Sequence, residues 1–146
     1  MKPIKIFSIL LMLCLGIATV AIAQPAAVKK AANTTFTLTT FDAKGSILST
    51  SNGVFVSNNG ICVSTWKPFV GAMKAEVTDN NGQKYSVETI LGANELYDVA
   101  KFKITAKTNA ALFAPSVVAN SAAWIVMPSQ AGDPIKANID KVEKFM

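Results

Sequence analysis

A chain of 146 residues leaves room for one domain of ordinary size once any targeting segment is set aside. All 14 of its basic residues are lysine, so the planar arginine fork that reads guanine edges and clamps phosphate is missing, and nucleic acid is excluded as a natural partner. There is no histidine either, which removes the commonest metal ligand and the usual proton shuttle of neutral-pH hydrolysis.

Met1 to Lys5 is a short basic stretch, Ile6 to Val20 is almost continuously apolar, and Ala21-Ile22-Ala23 before Gln24 has the small-x-small pattern of a cleavage site. Residues 1–23 therefore read as a signal peptide, and the protein is expected to be exported, periplasmic or secreted. Ile6 to Ala23 comes close to the roughly 20 apolar residues of a spanning anchor, but the cleavage pattern argues for removal, leaving no membrane segment. Cys14 follows Leu11-Met12-Leu13 rather than small residues, which argues against lipidation. Loss of Lys2 and Lys5 takes the formal charge from +5 to +3, spread without a run, as a solubility charge is. Only Cys62 then remains, so no intramolecular disulfide is available, and its setting in Ile61-Cys62-Val63 reads as a buried inert thiol.

Gln24 to Asn33 is alanine-rich without apolar periodicity and reads as a flexible leader, residues 24–33. In Thr34 to Phe41, Phe36, Leu38 and Thr40 alternate with threonines, a strand pattern, and Asp42-Ala43-Lys44-Gly45 reads as a turn. Ser46 to Thr50, Gly53 to Ser57 and Ile61 to Thr65 are three further extended pieces, with Asn58-Asn59-Gly60 as a tight hairpin. Trp66 to Ala72 breaks the alternation and is expected to form a short helical turn or loop. Ala75 to Asp79 and Lys84 to Leu91 flank a second hairpin at Asn80-Asn81-Gly82, Gly92 to Tyr97 connects, and Val99 to Ile104 alternates again.

Short strands at this spacing hide their edges in a sandwich or a closed barrel, and the barrel is preferred. The expected fold class is all-β: a six-stranded closed barrel over residues 34–105, a linker over 106–121, and two extra strands within 122–146, namely Ala122 to Met127 and Ile139 to Phe145.

Gly53-Val54-Phe55-Val56, Asn59-Gly60, Ile61-Cys62-Val63-Ser64-Thr65-Trp66-Lys67-Pro68, then Asn81-Gly82-Gln83-Lys84-Tyr85-Ser86-Val87, Ile90-Leu91-Gly92 and Tyr97-Asp98-Val99-Ala100-Lys101-Phe102 follow one another with characteristic spacing. Together they resemble the N-terminal half of a trypsin-like serine protease of the HtrA type. The resemblance implies a trypsin-like N-lobe barrel, with the two extra strands as the opening of an incomplete second lobe. It puts Lys67 at the position of the catalytic histidine and Asp98 at that of the triad aspartate.

Two departures bear on chemistry. The triad histidine takes and returns the nucleophile's proton because its pKa lies near neutrality. A lysine would need its pKa lowered by about three units, roughly 4 kcal/mol, to serve equally. The Gly-Asp-Ser-Gly-Gly stretch that carries nucleophile and oxyanion hole in that family is also absent; Gly132-Asp133-Pro134 does not replace it.

Other chemistries lack their residues. Neither a zinc set nor a phosphate loop is present, and Asp79-Asn80-Asn81-Gly82 is better read as a hairpin than as part of a calcium loop. No cofactor or metal is expected. The plain roles are a turn or cap for Asp98, a solvated loop position for Lys67, and cover over the barrel mouth for Trp66 and Phe69. The sequence thus points to a catalytically inactive protease homologue acting, if at all, as an exported binding or scaffold module, whose partner is another protein chain met through exposed edge strands. Two alternatives stand beside it: half of a serine endopeptidase completed by another chain, and an unrelated small secreted β-protein that binds a ligand or surface.

Overall fold

The computed structural model describes residues 26–128 and 133–142. The expected signal peptide, Cys14, Gly132 and Glu143 to Phe145 lie outside the described residues. Among those described, no helix is long and apolar enough to cross a membrane.

Six antiparallel strands, β1 (Thr35–Phe41), β2 (Ile47–Phe55), β3 (Ile61–Ser64), β4 (Lys74–Asp79), β5 (Lys84–Asn94) and β6 (Val99–Ile104), close into a barrel in the order β1-β2-β3-β6-β5-β4. Every contact but one joins hairpin neighbours or closes the ring; the β3-to-β4 connection crosses from one side to the other, through a 3-10 turn at Lys67–Phe69. The period-2 patterns in the sequence account for the inside: Phe36, Leu38 and Thr40 from β1, Cys62 and Ser64 from β3, Ala75 and Val77 from β4, and Ala100, Phe102 and Ile104 from β6 point inward and are buried. The two buried hydroxyls are satisfied, Thr40 donating to the Ser49 carbonyl at 3.4 Å and Ser64 to that of Asn52 at 2.8 Å.

Two glycines are required by contact. Gly53 lies opposite Phe36, and a Cβ there would fall 2.3 Å from the ring. Gly60 has φ +84°, and its Cβ would fall 2.1 Å from the Ile104 carbonyl oxygen.

The β1–β2 and β4–β5 hairpins use one device twice. Asp42 Oδ1 accepts the amides of Lys44 and Ser46, at 2.8 and 2.9 Å, and Asp79 Oδ1 those of Asn81 and Gln83, also at 2.8 and 2.9 Å. Both loops end in a glycine at φ +79°, Gly45 and Gly82. Asp79 therefore serves the hairpin expected of it.

Several expectations need correction. Ala26–Ala32 forms a short helix, α1, where a flexible leader was expected: alanine has the highest helix propensity, Val28 is buried, and the hydroxyls of Thr34 and Thr35 close the end by donating to the carbonyls of Ala31 and Ala32 at 2.7 Å. The two pieces Ser46 to Thr50 and Gly53 to Ser57 are one strand, because Ser51 and Asn52 pair with Leu38 and Thr37 without a break. β5 runs on to Asn94, reaching that length through two irregularities against β6. The last two strands are β7 (Ala122–Ile125) and β8 (Ile135–Asn138), paired only with one another; the second lies ahead of the expected Ile139 to Phe145, because Ile125 meets Ile135 and Ile139 closes the ladder by donating its amide to the Ser121 carbonyl at 2.9 Å. The first part of the expected linker is laced to the barrel: Thr108 donates its hydroxyl to the Ser57 carbonyl at 2.6 Å, and the Ala111 amide donates to the Phe55 carbonyl at 2.8 Å.

Candidate functional site

The loops 42–46, 65–73 and 95–98 gather at one end of the barrel, and Lys67 and Asp98 meet there. Asp98 closes the β5–β6 hairpin with φ 51°, a left-handed conformation that aspartate tolerates better than most side chains. Its Oδ1 accepts the backbone amides of Trp66 at 2.9 Å and Lys67 at 2.7 Å. Its carbonyl oxygen takes the Trp66 amide as well, at 3.3 Å. These amides open the 3-10 turn, whose first N–H groups have no partner within the turn, so the carboxylate caps it.

The two sequence-selected positions are thus joined through the backbone of Lys67, not its side chain. Lys67 is exposed, and the ion pair of Lys74 with Glu76 at 2.7 Å lies elsewhere on this rim. Pro68 fixes the turn and is buried. Trp66 stacks on Phe69 with centroids 6.0 Å apart, and Phe69 meets the core ring of Phe102 edge-on at 5.2 Å. Both rings therefore plug the barrel mouth as expected, and hold the 3-10 turn against the core.

Cys62 is buried, and burial pushes its thiol from an ordinary 9.0 up to about 12, which makes it a poor nucleophile. No group of three His, Cys, Asp or Glu side chains forms a metal site among the described residues. The rim offers backbone capping, an exposed lysine and apolar contact. The sequence reading missed the apolar contact: Ile47, Leu48, Val70, Met73, Leu91 and Leu96 are exposed around this end. The signal that could have found it is the occurrence of large aliphatics in loops and strand ends, where the alternation leaves no core position for them.

Comparison with known proteins agrees with the barrel. No protein-family model and no curated protein matches the chain. Among solved structures, the chain is similar to the serine endoprotease from Yersinia pestis, with TM-score 0.50 and 25% identity over 55% of this chain. The match spans 28% of the length of that protein. The closed six-stranded barrel with a separate two-stranded sheet is accordingly a trypsin-like N-lobe fold.

Proposed function

We propose that this chain is a catalytically inactive homologue of the trypsin-like serine proteases, exported from the cell, which acts as a binding or scaffold module. The observation that carries the reading is the Asp98 carboxylate on the Lys67 amide at 2.7 Å. The aspartate still organises the turn that in the resembled family bears the base, but the side chain on that turn is an exposed ammonium. The base of that family is an imidazole, and this chain holds no histidine to supply one. Export rests on the apolar stretch and cleavage pattern of residues 1–23.

The test is hydrolysis of unstructured casein by the purified protein. No cleavage above a buffer control is expected, with Lys67→Ala indistinguishable from the parent. Cleavage abolished by Lys67→Ala would reverse the reading. A second reading, half of a serine endopeptidase completed by another chain, is favoured by the apolar side chains around the Lys67 rim; it predicts that cleavage appears only when a second protein is added.

A further inference from the structure

Besides the β7–β8 hairpin, where Ile125 and Ile135 are exposed, two parts of the described chain are apolar and uncovered. The first is the rim just described, where Met73 is 75% and Leu96 84% exposed, while no strand or hairpin turn at the opposite end of the barrel exposes a large apolar side chain among the described residues. The second is the arm that follows Ala111. Leu112 is 94% and Phe113 77% exposed, Val117 and Val118 are exposed beside them, and no charged residue falls between Lys107 and Asp133. A stretch that lives in water usually carries charge, and contiguous exposed apolar surface marks a contact. The arm is also tied down at the wrong place to cover its own rim: Thr108 and Ala111 are pinned to Ser57, Asn58 and Phe55, at the end of the barrel away from Asp98.

We infer that the arm of one copy, Leu112 to Val118, lies across the apolar rim of a second copy, and reciprocally, closing a two-fold dimer. Reciprocal exchange of this kind covers both rim and arm in a closed pair. Charge selects the occupant. Asp42, Glu76, Glu95 and Asp98 on the rim are balanced by Lys44, Lys67, Lys74 and Lys84, so an anionic lipid surface finds no net attraction, whereas an uncharged apolar arm needs none. Pro115 keeps the arm extended and out of helix, as a segment laid over a surface must be. The inference rests on the reading of the chain as a binding module and names the partner that reading leaves open.

The experiment is sedimentation velocity on the protein expressed with its own leader and purified as the cell processes it, over a wide concentration range. A reversible dimer is expected. Phe113→Asp and Leu96→Asp should each weaken it at least tenfold while leaving the thermal melt unchanged at dilutions where the parent is monomeric, since both side chains are exposed in the monomer. An equimolar mixture of the two variants should regain dimer, because the intact arm of one meets the intact rim of the other. A parent that stays monomeric at the highest concentration, or a dimer indifferent to Phe113→Asp, overturns the exchange. Binding of monomer to phosphatidylglycerol vesicles that Leu96→Asp abolishes would assign the rim to a membrane instead, and also overturns it. A monomer that leaves casein intact sinks the dimer alone; a dimer that cleaves casein sinks the inactive reading alone.

Discussion

The two ends of the barrel are built from the same hairpin chemistry and finished with opposite surfaces. At the Asp98 end, aspartates cap turns, and the loops and the start of β2 display Leu48, Val70, Met73 and Leu96. At the other end the turns and strand ends carry amides and hydroxyls, among them Asn33, Asn58, Asn81, Asn109 and Thr108, around a cleft also lined by Phe55 and Tyr85, and the arm leaves from there. Closure of the sheet needs only the turns and the inward alternation, both of which the two ends share. The outer surface is independent of closure, so folding of the barrel does not require the apolar finish of one end.

That contrast can be broken or sharpened by substitution. The largest effect is expected for Phe102→Ala, which empties the ring joining Phe36 in the core to Phe69 under the rim: about 3–5 kcal/mol by urea unfolding, with a change in the near-ultraviolet signal of Trp66 as its plug loosens. Gly60→Ala at the polar end should cost about 3 kcal/mol, because a Cβ there meets the Ile104 carbonyl and the positive φ is strained for alanine. Should Gly60→Ala prove nearly neutral, the barrel is closed less tightly at that end than its geometry requires.

Asp98→Ala should cost about 1–2 kcal/mol, since one carboxylate oxygen serves two amides of the crossover turn, and it should loosen the rim locally, seen as faster hydrogen exchange at Trp66 and Lys67. Asp42→Ala, which leaves only hairpin amides unpaired, should cost about 1 kcal/mol. The pH dependence has a definite sign. Folding raises the Cys62 thiol's pKa from 9.0 to about 12, so its contribution to stability is complete below 9 and is lost as pH rises toward 12. The same group should resist alkylation at pH 8 until the chain is unfolded. The smallest effect on stability is expected for Met73→Lys, within about 0.5 kcal/mol, because its side chain packs against little of its own barrel.

How much of this was legible beforehand differs by element. The inward-facing positions of β1 and β6 could be read directly, because strand periodicity of two leaves no ambiguity about which face Phe36, Leu38, Phe102 and Ile104 take. The union of two pieces into β2 could not, since Ser51 and Asn52 look like a break until β1 is seen to pair across them. The helix α1 was missed because its signal is propensity without periodicity, and the arm was passed over as linker although its lack of charge was visible. Asp98 and Lys67 were selected through resemblance, and the structure brings them together through a backbone amide, a contact that no spacing rule specifies.

By itself, then, the sequence determined the strand alternation, the turn residues and the absence of histidine and arginine, since these are local properties of residue type and order. Only the tertiary structure decided which strands close the ring, that Asp98 caps the turn carrying Lys67 thirty-one residues away in sequence, and that the exposed aliphatics collect at one end. Those are relations between distant segments, set by where the closed sheet carries each loop rather than by the preference of any residue in it.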